Sequence, residues 1–199
     1  MNYPDSIKNL IECYKKLPGI GEKTAERLAL ASMKIDIEDI QKFSKSLIDV
    51  KTKIKTCKIC NNLTEKDECD ICLNDNRNNG LLCIVEEAKN IISLEKIGKY
   101  SGKYHVLDGL LSPLDGIGPE EIKIDKLKQR IENEKIKEII FALKPSIEGE
   151  TTILYISKIL KDKKIKITRI AQGIPMGAEM EYVDLITLEA AIDNRTEVS

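Results

Sequence analysis

Apolar side chains recur at helical spacing near the start of the chain, at Ile7, Leu10, Ile11, Tyr14 and Leu17. A period of about 3.6 residues puts them on one helix face. Pro18-Gly19-Ile20-Gly21 interrupts the pattern, since proline ends helices and glycine tolerates left-handed backbone. A second helix is predicted from Glu22 to about Met33, with Ala25, Leu28 and Ala29 on one face. A third begins after the N-cap candidate Asp36 and carries Ile37, Ile40, Phe43, Leu47, Val50 and Ile54. The first third of the chain therefore reads as helix.

Residues 57–79 read as loop and cysteines, and beyond residue 80 the period changes. Short runs of strand character occur at Leu81–Val85, Tyr104–Leu107, Ile139–Leu143 and Ile165–Ile170. Amphipathic helices are predicted between and after them, near 88–97, 125–134 and 150–161. Strands alternating with helices imply an α/β fold with a mainly parallel sheet, whose functional face lies at the carboxyl ends of the strands. Asp108 to Pro119 is a Gly- and Pro-rich loop, and the tail from Gly173 starts as loop and ends as helix. The expected division is a helical domain (1–54), a four-cysteine segment (55–79), an α/β domain (80–176) and a tail (177–199) suited to an oligomer contact.

Composition narrows the class. Of the 199 residues, 42% are hydrophobic and 33% charged, which is a globular balance. No apolar run approaches the ~20 residues of a membrane span, and the N-terminus lacks a signal-peptide core, so a cytoplasmic location is expected. The net charge of -1 hides an asymmetry: residues 1–58 carry +4 and the remainder -5. A basic front end on an acidic body points modestly to a polyanion bound at one end.

Four of the six cysteines form two hooks, Cys57-x2-Cys60 and Cys69-x2-Cys72. Two intervening residues let both sulfurs of a hook reach one tetrahedral ion. Four soft thiolates select zinc or an iron–sulfur centre, and a closed shell leaves no position for catalysis. Structural zinc, one ion per chain, is the expectation. Cys13 and Cys83 are expected to be small buried hydrophobes.

Gly19 and Gly21 bend the chain between two helices, and Lys23 and Arg27 follow on one face of the second. Glycine lets the backbone approach a ligand, helix-start amides attract anions, and the two cations can neutralise phosphates. The string Leu17-Pro18-Gly19-Ile20-Gly21-Glu22-Lys23-Thr24-Ala25 is similar to a helix-hairpin-helix motif. Nothing in it is placed to read base edges, so the expected contact is sequence-independent. The alternative is a helical hairpin with a solvated charged face.

Glu86 follows the strand Leu81–Val85, and Ser146-Ile147-Glu148 follows Ile139–Leu143. A glutamate after one strand and acidic groups after another can bind Mg²⁺ for phosphoryl transfer, which leaves a metal-dependent nuclease or strand-transfer enzyme as the alternative function. Surface carboxylates at strand ends are equally common. His105, the only histidine, lies in a strand and reads as structural. No nucleophile constellation or Walker A lysine motif is present.

In this order the motifs resemble the bacterial RecR recombination family, over essentially the whole chain. Tyr100-Ser101-Gly102-Lys103-Tyr104-His105-Val106-Leu107, Leu111 to Pro119 and Thr168 to Gly177 look like that family's signatures. The resemblance implies a helix-hairpin-helix, a four-cysteine zinc finger and a Toprim-like domain. It implies a non-enzymatic, DNA-binding mediator that acts with RecO and RecF to load RecA on gapped DNA, assembled as a ring tetramer. Lys23 and Arg27 match its basic hairpin positions, Cys57, Cys60, Cys69 and Cys72 its zinc ligands, and Glu86 the Toprim glutamate. Glu148 falls where catalytic Toprim proteins carry an Asp-x-Asp pair. Ser146 replaces one of those carboxylates, so Glu86 and Glu148 are expected to serve a partner surface, with RecO the favoured partner.

Overall fold

A computed structural model describes residues 3–197, which divide into two compact units between Ile54 and Lys55. In the first unit, α1 (Asp5–Lys15) and α2 (Glu22–Ser32) form a hairpin. Asp5 and Lys15 oppose the dipole charge at the two ends of α1. Ile11, Ala25 and Ala29 are buried between the helices, with Ile7, Leu10, Tyr14 and Ile20 packed around them. Two alanines on α2 let the axes approach closely. Tyr14 Oη lies 2.8 Å from Ser32 Oγ, linking the last turn of α1 to the last turn of α2.

α3 (Ile37–Lys53) follows, and Asp36 holds the N-cap position with extended backbone. Its side chain caps nothing; its carbonyl instead accepts from Asp39 and Ile40. No residue of α3 is buried, and Phe43, Leu47 and Val50 are 51%, 57% and 65% exposed, so its apolar face is uncovered in the single chain. Cys13 is also exposed, contrary to expectation. It stands two residues beyond Ile11, about 200° around the helix from the buried position.

The second unit opens with a short antiparallel pair, β1 (Lys55–Thr56) and β2 (Leu63–Thr64), then α4 (Asp70–Leu73). Secondary structure thus interrupts what the sequence presented as loop, because the two hooks must fold to converge. There follow β3 (Leu81–Val85), α5 (Ala88–Ile97), β4 (Lys103–Val106), α6 (Ile124–Asn133), β5 (Glu138–Ala142), α7 (Ile147–Ile159), β6 (Lys166–Arg169) and α8 (Leu185–Asp193). The four strands form one parallel sheet in the order β4-β3-β5-β6.

Alternation along the strands divides the core. Leu82, Ile84, Ile139 and Phe141 pack with Leu127 and Ile131 of α6 and Ile156 of α7. Cys83, Val85, Tyr104 and Val106 pack with Ile91 of α5. One crossover helix on one face and two on the other is what right-handed βαβ connections dictate for this strand order. Cys83 is buried as expected, and so is His105.

Candidate nucleic-acid interface and metal centre

The hairpin turn is built around Gly19, whose φ of 79° only glycine adopts without strain. Gly21 then occupies the N-cap of α2 in extended conformation, with no side chain capping the helix. Ala25 N bonds to Gly21 O at 2.9 Å, so the amides of Glu22, Lys23 and Thr24 face outward for an external acceptor. Space is open around both glycines, with nothing within 4 Å of a Cβ added at either.

Charges near the turn are sorted by pairing. Lys15 Nζ lies 2.8 Å from Glu12 and 2.6 Å from Glu22, and these hydrogen bonds raise its pKa. Lys23 and Arg27 are exposed and form no ion pair among the described residues. Predicted DNA-facing residues Gly19, Gly21, Lys23 and Arg27 thus share one end of the hairpin. The cations best placed for a phosphate are the unpaired ones.

The four cysteines come together as the spacing predicts. Cys57, Cys60, Cys69 and Cys72 are all buried, and one ligand atom from each lies within 4.8 Å of the other three. The Cys60 and Cys69 sulfurs are 3.5 Å apart and those of Cys57 and Cys72 are 3.9 Å apart. A tetrahedral zinc with 2.3 Å bonds sets its sulfurs roughly 3.8 Å apart, so one zinc fits. The Cys69 amide donates to Cys57 Sγ at 3.3 Å, the type of bond that stabilises a thiolate.

Four sulfurs this close also compete for ionisation. Hydrogen bonds from Cys60 and Cys72 hold the Cys69 thiol below its usual range, while Cys60 is pushed up, first by its bond to Cys69. Cys72 is driven up as well, first by Cys60. A divalent cation resolves the conflict by holding all four as thiolates.

Glu86 and Glu148 lie beyond the carboxyl ends of the paired strands β3 and β5. The structure does not assemble them into a cage: among the described residues, the four cysteines are the group of three or more ligand-type side chains close enough for one ion. Ser146 explains part of this. Its Oγ accepts from Gly149 N at 3.2 Å, capping α7, and supplies no carboxylate. The same hydroxyl holds the Glu148 carboxyl below its usual range, keeping it charged.

Sequence reasoning missed the residues that join these parts. Thr152 Oγ1 accepts from Leu111 N at 2.9 Å, pinning the Gly- and Pro-rich loop to α7. Lys123 Nζ reaches Asp108 at 2.8 Å, and both residues have left-handed backbone. Asn61 and Lys126 bind the first cysteine hook to the sheet and to α6. Asn61 and Asp108 left a local signal, since asparagine and aspartate tolerate left-handed backbone better than other side chains.

Comparisons with known proteins agree along the length of the chain. Residues 7–51 match the helix-hairpin-helix family of RecR, 54–74 the four-cysteine zinc finger domain of RecR, 80–171 the Toprim domain and 173–196 the C-terminal family of RecR. The Recombination protein RecR of Staphylococcus aureus (strain Newman) is 46% identical over 198 residues, covering 100% of both chains. The protein of the same name from Staphylococcus haemolyticus (strain JCSC1435) shows the same identity and coverage.

Proposed function

From the premise that this chain belongs to the RecR family of recombination proteins, we propose that it is a non-enzymatic mediator of recombinational DNA repair. It grips the sugar-phosphate backbone without reading sequence and works in the cytoplasm with RecO and RecF to load RecA on gapped DNA. The observation that carries this reading is the uncapped start of α2, flanked by Lys23 and Arg27 without ion-pair partners. Outward amides and free cations at one turn suit a phosphate and offer nothing to a base edge.

Glu86 and Glu148 serve the partner surface, with RecO as its occupant. Support comes from the hydroxyl of Ser146, which is committed to capping α7, and from the charged state of Glu148. Assembly as a ring tetramer is supported by apolar faces uncovered in the single chain. Phe43 and Leu47 on α3 are exposed, and Leu185 and Ile186 on α8 are 82% and 79% exposed.

The test is binding of the purified protein to gapped DNA across ionic strengths, with RecO binding measured alongside. Affinity for DNA is expected to fall steeply with salt. Absence of DNA binding even in dilute buffer sinks the reading. The partner assignment is wrong if Glu86→Ala and Glu148→Ala proteins hold RecO as tightly as the parent.

A further inference from the structure

The outer edge of the sheet is closed by the zinc hook itself. β4 is an edge strand, and alternate residues turn their backbone groups away from β3. Val106 N donates to Cys60 O at 2.8 Å, and Val106 O accepts from Asn61 Nδ2 at 2.8 Å. Tyr104 O accepts from Arg130 Nη1 of α6. The hook thus covers polar groups that an open edge would offer to another strand.

Two side chains outside the ligand set hold the hook in place. Asn61, 5% exposed and left-handed with φ 61°, spans from β4 to Lys126. Lys126 Nζ donates to Asn61 Oδ1 at 2.6 Å and to Cys57 O at 3.3 Å. A zinc held by four thiolates carries a net charge of about -2, and an ammonium beside a ligand's own carbonyl offsets part of it.

We infer that Asn61 and Lys126 are positioning residues of the zinc site, coupling retention of the ion to closure of the β4 edge. With zinc bound, the hook presents the Cys60 carbonyl and the Asn61 amide to Val106 in register. When the ion leaves, the four sulfurs lose the force that fixes the hook, and the edge opens before the central strands do. Conversely, loss of the Asn61–Lys126 link frees the hook to release its ion, although neither residue touches the metal.

Zinc release from the full-length holoprotein to a chromophoric chelator reads the first half of the coupling. Asn61→Gly keeps the left-handed backbone and removes only the side chain; Lys126→Met keeps the aliphatic stem and removes the charge. Each is expected to release zinc ~10-fold faster or more, the usual scale for outer-shell changes. Lys128→Met, on the same helix but paired with Asp125, is expected to match the parent. The double variant Asn61→Gly/Lys126→Met is expected to speed zinc release by clearly less than the product of the two single effects, because both lose the shared Asn61–Lys126 hydrogen bond.

Amide hydrogen exchange reads the second half without any substitution. Chelating zinc from the parent is expected to speed exchange at Val106 by ~10-fold or more relative to the amides of β3 and β5. The inference is overturned by parental release rates in both single variants, by equal acceleration in Lys128→Met, or by multiplying effects in the double variant. Uniform loss of protection across the whole sheet on chelation overturns it too.

Discussion

Lys15 reaches across the hairpin turn to Glu22, Nζ to Oε2 at 2.6 Å, and is held at the same time by Glu12. One basic residue beside the glycine turn is thereby neutralised within the protein. Lys23 and Arg27 are left to act on an external anion. Exchanging both for glutamate is expected to weaken DNA binding by well over ~10-fold and to flatten the salt dependence by roughly 0.9 log unit for each duplex phosphate no longer neutralised. Lys15→Met is expected to leave the salt slope unchanged. Fluorescence anisotropy on labelled DNA across ionic strengths separates the two sites.

Glycine is required at Gly19 and at Gly149 for different reasons. At Gly19 the space is open but φ is positive, so Gly19→Ala carries only the left-handed penalty of about 1–2 kcal/mol. At Gly149 an added Cβ would run into the carbonyl oxygen of Lys144, and the start of α7 would have to move. Gly149→Ala is expected to cost more, roughly 2–3 kcal/mol, the scale of an overpacked core. Denaturant midpoints rank the two variants.

His105 makes stability depend on pH. Burial first, then the Arg130 and Lys126 cations, push its imidazole down to about 3 from the usual 6.5. The unfolded chain takes up a proton near pH 6.5 that the folded chain refuses until near pH 3. This contribution to stability is intact above the upper value. It declines as pH falls through the window, by up to about 1.4 kcal/mol per pH unit. His105→Phe is expected to remove one proton's worth of that slope. Urea titrations between about pH 6 and pH 4 give the comparison.

The uncovered apolar faces predict how assembly fails. Phe43→Glu/Leu47→Glu on α3 and Leu185→Glu/Ile186→Glu on α8 should each abolish one kind of subunit contact. For the proposed ring tetramer, mass by sedimentation is expected to fall to that of a dimer in either variant and to that of a monomer when the two are combined. A full-mass assembly in both would remove these faces from the ring.

Local spacing carried much of the fold. The 3.6 period of α1, the apolar runs of β3 and β5, and the hooks at Cys57-x2-Cys60 and Cys69-x2-Cys72 are short-range signals, and each formed the expected element or cluster. The hairpin motif was equally local, since Gly19, Gly21, Lys23 and Arg27 lie within nine residues. The expectation of a buried Cys13 missed for a local reason, since two residues past Ile11 it is turned about 200° around α1 from the buried position. On α3, the exposure of Phe43, Leu47 and Val50 is not disclosed by their helical spacing.

The chain's own order of residues determined which elements form, which sulfurs gather and where the glycine bend lies, because a helix, a hook or a turn is decided by interactions a few residues apart. Tertiary structure alone decided that Asn61 spans to Val106 and Lys126, positions 45 and 65 residues away. It also decided that Lys15 is spent on Glu22 while Lys23 stays free. Such choices depend on which surfaces burial brings together, and that is set by packing the whole chain at once.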